Sequence, residues 1–139
     1  MNVFSRDLIN KNREPQSLES SRQFKELSKE YIDEHVNDIN WRTVSCKQKL
    51  TEEFIERYEA YLDWHLISIN QRLSEPFMEK YADRLDWKEI SVYQRLSEPF
   101  MEKYADRLNW CYISIYQPLS KPFIEKYSDR LELSWIHEF

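Results

Sequence analysis

Glu79 and Asp83 stand four residues apart, the spacing that puts two carboxylates on one face of a helix and the first requirement of a general acid/base pair. Such a pair also needs a closed cleft that holds its two members in different environments. The same types return 23 residues on as Glu102 with Asp106, and again as Glu125 with Asp129. A catalytic pair copied at fixed intervals makes a poor active site. A solvated helix face, with Lys80 supporting Asp83 at i, i+3, is the better expectation. The remaining reactive groups are His35, His65 and His137 with Cys46 and Cys111. On the same 23-residue frame His65 and Cys111 hold one position two copies apart, roughly 20 Å if neighbouring helices pack at 8–10 Å, too far to share an ion. His35 falls at a position otherwise held by tyrosine, which suits the edge of a core. No Ser–His–Asp or Cys–His arrangement stands out. The expectation is no catalytic residue, no metal and no cofactor.

Composition excludes further classes. Glycine is absent from all 139 residues, which removes phosphate-binding loops of the Walker, kinase and dinucleotide types. Twenty basic against 25 acidic side chains give a formal charge of −5, the wrong sign for broad contact with phosphate backbones or anionic membranes. Cys46 and Cys111 lie far apart with no second thiol beside either, which argues against a disulfide scaffold and for a reducing, intracellular setting. The N-terminus turns polar within a few residues and no apolar run is long enough to cross a bilayer, so a soluble, non-secreted protein is expected.

The elements that carry these groups are set by repetition. The stretch Gln71 to Leu85 returns without change as Gln94 to Leu108, and tryptophan recurs at 41, 64, 87 and 110. Five tandem repeats follow at 27–49, 50–72, 73–95, 96–118 and 119–139, after a segment 1–26 that reads equally as a loose tail or a degenerate cap. Within a repeat, Ser74 followed by Glu75 and Pro76 is a helix start, and the stripe Phe77, Met78, Tyr81, Leu85 predicts a first helix over 75–85. Asp86, with Glu89 three residues on, has capping-box spacing and predicts a second helix over 87–95. Two helices of roughly 11 and 9 residues joined by one cap make an αα-hairpin that is marginal alone. The fold class is all-α, a short αα-hairpin repeat solenoid of 23-residue period. In the last repeat Leu133 replaces Trp and Ser134-Trp135 resembles a displaced cap, which predicts a longer corner and a truncated helix.

Comparison between repeats separates two faces of the second helix. Trp87, Ile90, Ser91 and Gln94 fall at i, i+3, i+4 and i+7 and recur in type, which assigns them to packing. The recurrent Gln is explained by a hydrogen bond to a neighbouring corner. The positions between them vary and form a separate face. Arg42, His65, Lys88, Tyr93, Tyr112 and Tyr116 on that face are the candidate contact residues, since exposed tyrosine favours protein contacts. Stacked aromatics also suit single-stranded nucleic acid, but that mode needs a positive groove, and the net charge argues against it.

The unit from Leu73 to Ser91, with its Leu-Ser start, Phe77, Tyr81, the Asp86-Trp87 corner and Ile90-Ser91, resembles the short Trp-containing repeats of uncharacterised proteins in large DNA viruses of the mimivirus-like and marseillevirus-like groups and in some phages. The resemblance covers residues 27 to about 133 and implies a viral origin, with work in the host cytoplasm or a viral factory or packaging in the virion. It brings no reaction and no site residue. Together these readings point to a non-enzymatic module that binds a host or viral protein, with a self-assembling structural component as the alternative and a single-stranded nucleic-acid binder third.

Overall fold

The computed structural model describes residues 27–136. The tail or cap read into residues 1–26 lies outside the described residues, as does His137. Among the described residues the chain is all-helical, with no strand. It divides into two compact units, Met1–Gln71 and Arg72–Phe139. The first contains α1 (Lys29–Glu34), α2 (Trp41–Lys47), α3 (Glu52–Arg57) and α4 (Trp64–Asn70). The second contains α5 (Glu75–Lys80), α6 (Trp87–Tyr93), α7 (Glu98–Lys103), α8 (Trp110–Tyr116), α9 (Lys121–Lys126) and a 3-10 turn, Leu133–Trp135. Long first helices and short second ones alternate at the 23-residue period in neither unit: the first helices have six residues and the second seven. Within each unit successive repeats pack on one another, the arrangement of a helical-repeat solenoid.

Each helix start is the one the sequence predicts. Ser28, Thr51, Ser74, Ser97 and Ser120 accept the N3 backbone N–H of the first helices, and Asn40, Asp63, Asp86 and Asn109 do the same for the second. The ends differ from expectation. The first helix stops at Lys80, five residues before Leu85, and Tyr81 begins a turn in which Arg84 N–H and Leu85 N–H both donate to the Tyr81 carbonyl. That turn aims the Ala82 carbonyl at the Trp87 indole, whose Nε1–H donates to it at 2.8 Å. Trp41, Trp64 and Trp110 bond Val36, Glu59 and Ala105 in the same way, at 2.7, 2.9 and 2.8 Å. A continuous helix to Leu85 would point this carbonyl along its own axis. No described residue has positive φ, so every corner turns without a left-handed residue and a glycine-free chain can make it.

In the first unit α2 and α4 pack side by side, joined by Gln71 and Ser45. Gln71 Nε2 donates to the carbonyls of Ser45 and Gln48 at 3.0 and 2.7 Å, while its Oε1 accepts from Leu50 N–H at 2.9 Å. Ser45 Oγ donates to the Trp41 carbonyl and accepts from Asp63 N–H. Around them Ile32, Ile39, Val44, Ile55, Leu62 and Ile67 form the buried apolar core, and the Trp41 ring packs on Phe54 and Tyr58 at 6.3 and 5.2 Å.

The second unit repeats the scheme. Gln117 donates to the carbonyls of Ser91 and Gln94 at 3.0 and 2.7 Å and accepts from Leu96 N–H at 3.2 Å. Ser91 Oγ accepts from Asn109 N–H, and Ser114 Oγ accepts from Glu132 N–H at 2.8 Å. Trp87 lies over Phe100 and Tyr104, and Trp110 over Phe123 and Tyr127, with the Tyr rings at 5.0 Å in both cases. The glutamine role expected from sequence is thus met by three bonds rather than one.

Two expectations are corrected. The 3-10 turn begins at Leu133, in register with Trp110, so the last corner keeps its length and only the helix is truncated. The bond from Glu132 N–H to Ser114 fixes that register, whatever residue follows in the tryptophan position. The acidic columns, in turn, are not held mainly by i, i+3 pairing within a helix. Glu79 meets Lys103 at 3.1 Å and Asp83 meets Arg107 at 2.7 Å, each in the following repeat. Glu102 with Lys126 and Asp106 with Arg130 copy this at 2.6 and 3.0 Å.

Replacing Gln117 by Leu keeps the volume and strips three buried bonds, two of them to the preceding repeat, so Gln117→Leu should lower unfolding free energy by about 2–4 kcal/mol. Tyr93→Ala, at a side chain 57% exposed, should cost about 0.5 kcal/mol or less. Urea unfolding of the two variants checks both; equal losses would remove glutamine from its bridging role.

Candidate functional site

Four of the six candidate residues share the second unit and lie on its second helices. Tyr93 ends α6, and Tyr116, 23 residues later, ends α8. Both face outward because Ile90, Ser91 and Gln94, and in turn Ile113, Ser114 and Gln117, take the inner side. Tyr93 and Tyr116 are 57% and 54% exposed. Tyr112 is half-buried one turn before Tyr116, with ring centroids 6.2 Å apart. Lys88, exposed on α6, places Nζ 5.8 Å from the centre of the Tyr112 ring, within reach of a cation–π contact. One surface of this unit therefore offers two exposed phenols and a third braced below a lysine.

Arg42 and His65 belong to the first unit. Arg42 is exposed on α2 with its guanidinium 3.8 Å from the Asp63 carboxylate, and His65 is exposed on α4. The second unit also brings up a residue that the sequence reading left out. Ile115 is 38% exposed between Ser114 and Tyr116, and Val92 holds the equivalent half-buried place on α6. The signal was available: an apolar type recurs at 69, 92 and 115, on the side of the helix away from the packing residues.

The groups considered for chemistry are placed in the open or in structural bonds. Glu79 and Asp83 each face a cation of the following repeat rather than one another. His35 caps α1, stacks on Tyr31 at 4.0 Å and donates from Nδ1 to the Tyr31 carbonyl at 2.7 Å. Cys46 and Cys111 are exposed thiols. A shallow cleft at the first corner is lined by Val36, Asn37, Ile39, Asn40, Trp41 and Tyr61, with no carboxylate, imidazole, thiol or basic group among them.

The clearest electrostatic cluster lies elsewhere in the first unit. Tyr58 donates to Asp33 at 2.8 Å, Arg57 donates to both, and the three lock α3 to α1. Hydrogen bonds from Arg57, then Tyr58, hold the Asp33 carboxyl below its ordinary value. Burial, then the bond to Asp33, raises the Tyr58 phenol. In the second unit the bond to Glu102 raises Lys126.

Fold and face together define a helical-repeat protein with an outward aromatic surface. Compared with family models, with curated proteins and with solved structures, the chain gives no significant match. The viral resemblance therefore rests on the repeat residues alone. No described helix is long and apolar enough to cross a membrane.

Because Asp33 is bonded when ionised, its contribution to stability is present above the unfolded value of 3.8 and is lost as pH falls through the lower folded value. Wild type should thus exceed Asp33→Asn in stability at pH 6, and the gap should close by about pH 2. Thermal unfolding at both pH values measures it; a gap that persists in acid would show that the carboxylate charge is not what locks α1 to α3.

Proposed function

We propose that this protein is a non-enzymatic binding module or scaffold that engages a host or viral protein through the outward face of its second helices. The observation that carries the reading is the pair Tyr93 and Tyr116, each more than half exposed at equivalent positions of successive helices, beside Tyr112, Lys88 and Ile115. Tyrosine covers a large area with few rotors to immobilise and keeps a hydroxyl for a bond at the rim, which is why it concentrates binding energy in protein interfaces. The packing bonds that position these side chains are made by other residues of the same helices, so the face can change without loss of the stack. Arg42 and His65 extend the proposal to the first unit, on their exposure and on their place in the varied positions.

The same proposal needs no cofactor and no metal. Two exposed thiols suit a reducing interior, and the repeat resemblance supports an infected cell, its cytoplasm or a viral factory, as the setting. Self-assembly is the second reading, favoured by Leu133 and Trp135, which are 43% and 49% exposed at the end of the second unit. The net charge of −5 disfavours a nucleic-acid partner.

A pull-down comparing wild type with the Tyr93→Ala, Tyr116→Ala double variant tests the reading. A Glu102→Ala variant of matched stability serves as the control on another surface. A protein retained by wild type and control and lost at least tenfold with the tyrosines supports the module, tenfold being about 1.4 kcal/mol of binding. A partner held equally by all three overturns the assignment of the face. No partner, together with mass that rises with concentration, transfers the function to self-assembly.

A further inference from the structure

We propose that the cleft at the first corner of the first unit is a binding site for an arginine side chain of a protein partner, separate from the tyrosine face. The cleft holds about 460 Å³ between the turn that follows α1 and Tyr61 in the turn that follows α3, room enough for a side chain. In the second unit the chain's own arginines close the same corner. Arg107 donates to the Ala82 carbonyl at 2.9 Å and to the Asp83 carboxylate at 2.7 Å. Arg130 donates to the Ala105 carbonyl at 3.1 Å and to the Asp106 carboxylate at 3.0 Å, with its guanidinium carbon 5.8 Å from the centre of the Trp110 ring. Each time a planar fork spans two acceptors on consecutive residues beside an indole.

The first unit keeps the acceptors and lacks the fork. Two periods before Ala82, Asp83 and Arg107 stand Val36, Asn37 and Tyr61. The Trp41 indole donates to the Val36 carbonyl at 2.7 Å as Trp87 donates to Ala82 at 2.8 Å, so the two corners share one form and aim the same carbonyl. Tyr61 stacks on Trp41 at 5.5 Å, which keeps the ring contact of the arginine and leaves its two hydrogen bonds unmade. Among the described residues no second donor reaches the Val36 carbonyl, and none reaches the Asn37 side chain.

Ring, acceptors and charge name one occupant. The Tyr61 ring, 44% exposed, offers a platform for a cation at the mouth of the cleft. No described basic residue lines the cleft, and the exposed Asp38 carboxylate follows Asn37 in the chain. A guanidinium entering here meets the Val36 carbonyl and the Asn37 carboxamide oxygen as Arg107 meets Ala82 and Asp83. A lysine ammonium carries the charge without the planar fork that fits both acceptors. Because Asn37 is neutral where Asp83 is ionised, the contact is weaker than an inner pair, and the rest of the partner must supply further affinity.

The test titrates the full, nitrogen-15-labelled chain with N-acetyl-arginine amide and follows the indole N–H of Trp41 and the carboxamide signals of Asn37 and Asn40. Saturable shifts at these groups are expected, with half-saturation on the order of 10 mM for one isolated side chain. N-acetyl-lysine amide at equal ionic strength should bind at least about fivefold more weakly. Asn37→Asp should tighten arginine binding about threefold by restoring the carboxylate of the second unit. Asn37→Asp with Tyr61→Arg rebuilds the internal pair, so this chain should unfold no earlier than wild type and should lose the saturable shifts. The Tyr93→Ala, Tyr116→Ala chain should bind like wild type. Shifts that stay linear to about 50 mM, equal binding of the lysine compound, or binding undiminished in the rebuilt chain overturn the site. Loss of binding with the two tyrosines overturns its separation from the outward face.

Discussion

Gln71 and Gln117 each tie two carbonyls of the preceding repeat to the first backbone N–H of their own, and the rest of the structure depends on that bridge. A helix of six or seven residues leaves most of its terminal N–H and C=O groups without partners inside itself. One carboxamide supplies two donors and an acceptor at the point where a second helix ends and the chain turns outward. Without it, buried carbonyls at Ser91 and Gln94 would stand unbonded in an apolar layer, a cost on the scale of a whole helix's propensity.

The corner works by the same economy of partners. The indole of each tryptophan closes the turn behind it through Nε1 and lays its ring against the aromatic pair of the following repeat. One side chain therefore fixes both the bend inside a repeat and the contact between two. Serine does likewise, donating to the tryptophan carbonyl and accepting the N–H of the next corner. With the inner face so fully committed, the outer face of α6 and α8 is left to vary, and there the tyrosines stand.

Period, caps and packing face were legible because each depends on residue type at short range: a hydroxyl or carboxylate before a helix, an apolar stripe along it. Helix length was not. The apolar spacing from Tyr81 to Leu85 continues a helical pattern, and only the indole bond to Ala82 reveals why the chain tightens there instead. The acidic columns were misjudged for a related reason. Glu79 has a lysine beside it in sequence, but the distance that decides its partner is the rise from one repeat to the next. Tyr93 and Tyr116 could be found by contrast between repeats, while Ile115 hid among residues that looked like core.

The bonds that Ser91 and Gln117 make in the second unit span fixed intervals of 18, 21, 23 and 26 residues. Insertion of a single residue between Leu96 and Asn109 would change all four intervals at once, whereas insertion of a whole repeat would leave every bond with an equivalent partner. A change of length by one whole repeat therefore preserves the bonding pattern that a smaller change inside these intervals disturbs. The identical stretches Gln71 to Leu85 and Gln94 to Leu108 have the form that a copying event of this size leaves behind. The hydrogen-bond network thus acts as a reading frame for the gene's own growth, admitting additions only in whole words.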